Sequence, residues 1–114
     1  MKRDMELMRK ILLACEELDY DPRYFSRLEL EGYTDHQVGY HVILLAQAGY
    51  LVEAGFPGYG YVHYLTWSGH ELLEAIRDEG RWKRVLAQVR EKGGGLVFEV
   101  AVRLLMKAVE HAVS

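Results

Sequence analysis

Five histidines, a single cysteine, one serine beside a tryptophan and two adjacent glutamates are the side chains here whose types suit catalysis or metal binding. A structural zinc needs four ligands and usually draws them in tight pairs such as C-x-x-C or H-x-x-x-H. Neither pair occurs. His36 and His41 lie five apart and do not share a helix face cleanly; His63 and His70 can meet only across a strand-to-helix step. His41 reads as a packed or hydrogen-bonded core residue. Ser68 belongs to an expected capping box, Ser68-Gly69-His70-Glu71, which accounts for it without a nucleophilic role. Glu16 and Glu17 diverge on a helix and make no carboxylate dyad. Gly58, Gly60 and the triplet Gly93-Gly94-Gly95 lack the Lys-Ser or Lys-Thr that follows a phosphate loop. The chain therefore reads as a non-enzyme, with no catalytic set, no metal site and no cofactor.

The 114 residues make one domain of ordinary size, and half are hydrophobic, enough for a core without disulfides or metal. A net charge of −3 lacks the basic excess of a dedicated nucleic-acid binder. Cys15, flanked by Leu12, Leu13 and Ala14, reads as a buried thiol in a reducing compartment. No segment has the apolar length of a bilayer span, and the opening charges Lys2, Arg3, Asp4 and Glu6 precede no uninterrupted apolar core. A cytoplasmic protein with no membrane partner is expected.

Apolar periodicity predicts a first helix over residues 4–18, with Met8, Ile11, Leu12, Cys15 and Leu18 on one stripe, halted before Pro22. Residues 24–30 read as a short strand. Thr34 and Gln37 form a T-x-x-Q capping box for a second helix, which buries Val38, Val42, Leu45 and Ala48 and ends at a left-handed Gly49. Strands over 50–54 and 61–66 flank the Gly- and Pro-rich turn 55–60 as a hairpin, with Tyr50, Tyr59, Tyr61 and Tyr64 shielding it. A third helix from Ser68 buries Leu72, Leu73 and Ile76. A fourth, over 81–92, turns Trp82, Val85, Leu86 and Val89 inward. The glycine triplet breaks the chain before a last helix over 96–113. The fold expected is α+β and mainly helical: a winged-helix-like core of helix, strand, helix, β-hairpin and helix, with two additional C-terminal helices. It is read as one domain over 1–114, extended by helices over 81–114.

Three surfaces stand out. On the second helix His36, Tyr40, Ile43 and Gln47 face outward, uncharged and partly aromatic, which suits a protein interface. On the fourth, Arg81, Lys83, Arg84, Arg90 and Lys92 oppose only Glu91; the pattern fits a patch for nucleic acid or an acidic partner, and fits better a solvated helix face. On the last helix, Val97, Val100, Ala101, Leu104, Leu105 and Ala108 make one apolar stripe. Phe98, Val102, Met106 and Val113 make part of a second. Either that second stripe meets another copy of the chain or the helix threads between the first and fourth helices.

The stretch from Tyr40 through Ala48-Gly49-Tyr50 to Val52 resembles the end of the recognition helix in many bacterial winged-helix repressors. The stretch from Leu65-Thr66-Trp67 to Leu73 resembles the strand-to-helix step after their wing. A closer likeness spans nearly the whole chain. The opening Met1-Lys2-Arg3-Asp4-Met5-Glu6-Leu7, the Glu31-Gly32-Tyr33 step, the Tyr40-His41 pair and Thr66-Trp67-x-Gly69-His70-Glu71 resemble a phage and prophage family, domain of unknown function twenty-five-thirteen. That resemblance implies a winged-helix core in a bacterial or phage genome and no particular activity.

Two features set the chain apart from a winged-helix DNA reader. The place of the supporting helix that precedes a recognition helix is taken by a strand-like segment and a turn. Between Arg27 and Arg77 there is no lysine or arginine, although phosphate contacts need them. The sequence thus predicts a protein-interaction or self-association module, partnered by another protein or by itself as a homodimer. A DNA-binding regulator of winged-helix type is the alternative, disfavoured by the charge layout.

Overall fold

Asp4 starts the first helix, α1 (Met5–Glu16): its carboxylate accepts the Leu7 N–H at 3.0 Å. The helix stops two residues earlier than its apolar stripe suggests. The Glu17 and Leu18 amides bond three residues back, to Ala14 and Cys15, tightening the last turn. The computed structural model describes residues 1–92 and 97–113. None of the described helices is long and apolar enough to cross a membrane.

The strand expected over 24–30 shrinks to β1 (Ser26–Arg27) because turns close on both sides of it. Before it, the Asp21 carboxylate accepts the Arg23 N–H at 2.9 Å and the Tyr24 N–H donates to the Asp21 carbonyl, an Asx-type turn. After it, the Tyr33 N–H donates to Leu30 across Gly32, whose φ is +88°. Among the described residues no helix lies between α1 and α2 (Asp35–Gln47).

The α2 helix is closed at both ends by its own sequence. Thr34 Oγ1 accepts the Gln37 N–H at 3.1 Å while Gln37 Oε1 accepts the Thr34 N–H at 2.8 Å, the full capping box. At the other end Gly49 takes φ +85°; its N–H donates to Ala46 and the Tyr50 N–H to Leu45, a Schellman pair. Ala48, expected in the buried stripe, is exposed as the last cap residue; His41 and Gly39 are buried instead. The antiparallel hairpin β2 (Leu51–Glu53) and β3 (Tyr61–Leu65) follows, with Leu51 opposite Leu65 and a bulge between Val52 and Glu53. β1 pairs the free edge of β3, giving the order β1-β3-β2.

α3 (Trp67–Ile76) corrects the second expected capping box. The helix begins one residue before Ser68, and its cap is Thr66, whose hydroxyl accepts the Gly69 N–H at 3.0 Å. Ser68 is merely exposed. α4 (Glu79–Lys92) likewise begins earlier than residue 81, because Asp78 accepts the Arg81 N–H at 2.9 Å. That amide holds the Asp78 carboxyl below the usual carboxylate range. α5 (Val97–Val113) completes the described chain. The break expected at Gly93–Gly95 lies outside the described residues.

The chain divides into two compact units, Met1–His70 and Glu71–Ser114. In the first, α1 and α2 pack on each other and on the sheet, burying Leu7, Ile11, Leu12, Val38, Val42, Leu45 and Val62. In the second, α4 packs against α5, with Trp82, Val85, Val89, Ala101 and Leu105 buried. Leu86 is only half-buried.

Candidate interaction surfaces

The α2 surface is shaped by one close approach. A Cβ on Gly39 would overlap the carbonyl oxygen of Gly58, so the hairpin loop lies directly against the helix backbone there. Two further ties hold the loop. The Gly58 N–H donates to Glu53 Oε2 at 2.9 Å, and Arg27 Nε donates to the Tyr59 carbonyl at 3.3 Å. Arg27 also reaches Asp35 Oδ2 at 2.8 Å, at the first residue of α2. One guanidinium therefore links β1, the loop and the helix start. The loop is fixed on α2 and does not project as an independent arm.

Of the four residues expected on the outward face of α2, His36, Tyr40 and Gln47 are exposed and Ile43 is half-buried. Ile43 Cδ1 lies 3.6 Å from where a Gly58 Cβ would stand, so the loop covers part of that face. In exchange, the loop presents Phe56, 81% exposed, and Tyr59, 63% exposed. Phe56 carried no periodic signal in the sequence, because a ring in a Gly- and Pro-rich turn reads only as part of the turn.

His41 is 1% exposed and serves the fold. Its Nε2 accepts the Asp4 N–H at 2.8 Å, and its Nδ1 lies 2.8 Å from the Gln37 carbonyl oxygen. One neutral tautomer, protonated on Nδ1, satisfies both. In a capping box the residue at the third helical position would reach back to the Asp4 amide; that residue is Leu7, which cannot, and His41 takes its place. Thr66 plays a comparable part, capping α3 while its hydroxyl donates to the Gly49 carbonyl. Gly69 packs so closely on the Tyr50 carbonyl that a Cβ would overlap it.

The other two surfaces are smaller than their sequence patterns suggest. In the basic run of α4, Arg81 is half-buried and donates to the Ala75 carbonyl at 3.3 Å, and Lys83 pairs with Glu79 at 3.3 Å. Arg84 and Arg90 are exposed. On α5, Ala101 and Leu105 are buried while Phe98, Val102 and Met106 are half-buried. The side chains of Lys92 and Val113 lie outside the described residues.

Fold and surface together define a small α+β protein that exposes Tyr40 on α2 and Phe56 and Tyr59 on the hairpin loop. Residues 2–95 match the family described as hypothetical protein (DUF2513), and the chain belongs to that family. An uncharacterized protein of Haemophilus influenzae is 30% identical to it over 96 residues, 81% of each chain. No solved structure matches. The family match contains α1 to α4 and the whole sheet and ends before α5.

Proposed function

We propose that the chain is a non-enzymatic protein-interaction module on a winged-helix-like scaffold, phage- or prophage-associated and acting in the cytoplasm. The observation that carries this reading is the character of the α2 and hairpin surface. It exposes Tyr40, Phe56 and Tyr59, within a run of 49 residues (28–76) that holds no lysine or arginine. The nearest cation before that run, Arg27, is already held by Asp35. DNA affinity comes mostly from cations on phosphates, and this surface has few to offer. Aromatic rings are the residues that dominate protein interfaces. The order helix, strand, helix, hairpin, helix supports the winged-helix likeness.

The residues that carry the family likeness support the non-enzymatic part. Asp4 and His41 are bonded to each other, and Thr66 and Gly69 fasten α3 to the corner after α2. They act as fasteners between elements, which supports a structural role for them. Self-association through α5 belongs to the same proposal, supported by the half-buried second stripe of Phe98, Val102 and Met106.

Affinity capture from a bacterial host with the full chain tests the reading, alongside a Tyr40→Ser/Phe56→Ser variant and an Arg84→Ala/Arg90→Ala variant. A protein retained by the unmodified chain and the arginine variant, and lost by the aromatic one, is the expected result. Retention of nucleic acid that disappears with the arginine variant contradicts it.

A further inference from the structure

In the order β1-β3-β2, β1 pairs with β3 on one side and with no strand of the described residues on the other. Its register fixes which backbone groups face outward. Ser26 lies opposite Val62 and Arg27 opposite Tyr61, and the Leu28 N–H donates to the Gly60 carbonyl at 2.9 Å. Hydrogen-bonded pairs alternate with non-bonded pairs along an antiparallel ladder. Ser26 and Leu28 therefore turn their backbone groups towards β3, and Arg27 turns its N–H and C=O away. The Phe25 N–H also has no partner among the described residues. No turn interrupts residues 25–30, and residues 22–27 are all exposed. β1 thus presents an open, extended edge.

Such an edge is a template for a further strand, and proteins commonly guard it with a charged side chain. The charged residue here is Arg27, and its guanidinium is drawn off the edge onto the Tyr59 carbonyl and onto Asp35 of α2. The two halves of the edge differ in chemistry. The first half carries rings: Tyr24 is 68% exposed, and Phe25 is exposed with its ring 5.6 Å from that of Tyr61. Arg23 adds no free charge there, because Asp21 holds its guanidinium at 3.0 and 3.1 Å. The second half is acidic. The Glu29 side chain is 77% exposed, and Glu31 is exposed as well. Among the described residues, Glu29, Glu31 and Asp35 have only Arg27 for an ion pair. Asp35 takes it at 2.8 Å, Glu29 stands 3.9 Å from it, and Glu31 has none. One guanidinium does not neutralise three carboxylates, so this half stays negative.

We infer that the outer edge of β1 receives an extended, basic segment of a partner protein as a fourth strand of the sheet. In strand addition the main-chain bonds give affinity and the flanking side chains give selectivity. The outward groups of Arg27 and Phe25 supply the main-chain partners. Cations of the incoming strand answer Glu29 and Glu31, and an apolar side chain lies beside Phe25. An acidic segment meets charge of its own sign. A second copy of the chain brings the same three carboxylates and the same single guanidinium, and leaves the excess uncompensated. This site goes beyond the α2 and hairpin surface: binding through Tyr40 and Phe56 needs no backbone group of β1, so either site can be filled without the other.

Nuclear magnetic resonance titration of the full chain with acetyl-Lys-Val-Arg-Val-Lys-amide tests the inference. Two peptides serve as comparison: the same sequence with every backbone amide N-methylated, and one with glutamate in place of each cation. The basic peptide is expected to shift the Arg27 and Phe25 amide signals saturably and to slow their exchange with solvent. The Ser26 amide, which already faces β3, should keep its protection. The methylated peptide retains the charge and loses the main-chain donors, and should bind about 10-fold more weakly. Glu29→Gln with Glu31→Gln, both at exposed positions, should weaken the titration, and Tyr40→Ser with Phe56→Ser should leave it unchanged. Arg27 and Phe25 amides that do not move, or methylated or acidic peptide binding as tightly as the basic one, overturn the inference without touching the α2 reading. Protection of the Arg27 amide that grows with chain concentration in the absence of peptide overturns it too, because a second copy then fills the edge.

Discussion

At the scale of single residues, two glycines separate steric from conformational demand. Gly39 has the Gly58 carbonyl where its Cβ would be, whereas nothing lies within 4 Å of a Cβ on Gly49. Gly39→Ala should therefore destabilise by roughly 1–3 kcal/mol through overpacking, and it should perturb the amide signals of the hairpin loop. Gly49→Val should cost roughly 1 kcal/mol through its positive φ alone and leave those signals in place. Urea unfolding gives both magnitudes. His41→Phe keeps an aromatic ring there but strands the Asp4 N–H. A loss of about 1–3 kcal/mol is expected by the same measurement. Burial pushes the Cys15 thiol from 9.0 up to about 12. Its folded value lies above its unfolded one, so its contribution to stability is intact below about pH 9 and falls as the pH rises towards 12. At pH 8 a thiol reagent should label it only after unfolding. Rapid labelling of the native chain would contradict that burial. Of these residues, Gly49 and Cys15 were legible in the sequence because their signals are local. His41 reads as a packed or hydrogen-bonded core residue, but its Asp4 partner lies 37 residues away and the Gly58 contact of Gly39 lies 19 away, and no local pattern records either.

At the scale of elements, α2 was the most legible, since a T-x-x-Q start and a glycine stop each act within five residues. β1 was overestimated: Phe25, Leu28 and Leu30 looked like a strand, but Phe25 is exposed and turns at Asp21 and Gly32 leave only two residues to pair. The start of α3 was displaced because Ser68 and Thr66 are both good caps, and only the hydrogen bond of Thr66 to Gly49 decides between them. In α5 the two apolar stripes are only partly distinguished: Ala101 and Leu105 of the first are buried, but Val100, Leu104 and Ala108 of the first are half-buried, as are Phe98, Val102 and Met106 of the second. That second stripe carries a prediction. The unmodified chain should sediment as a homodimer at high concentration, and Phe98→Glu with Met106→Glu should yield a folded monomer. A monomeric unmodified chain would sink the dimer, and collapse of the double variant would place the stripe in the protomer core.

At the scale of the whole molecule, charge is distributed unevenly along a chain whose net charge is only −3. The central run 28–76 carries six acids and no lysine or arginine; the cations sit before it and after it. This layout was plain in the sequence. What the sequence left open was whether some distant cation folds back onto α2. Arg27 does, and Asp35 holds it there. Whether the chain binds duplex DNA at all is measured directly by fluorescence anisotropy with a mixed-sequence duplex at two salt concentrations. At physiological salt we expect binding weaker than the ~10⁻⁴ to 10⁻⁶ M typical of non-specific association, with a shallow dependence on salt. Micromolar or tighter binding with a steep salt slope, abolished by Tyr40→Ala and unaffected by Arg84→Ala, would show that α2 reads DNA and would contradict the account.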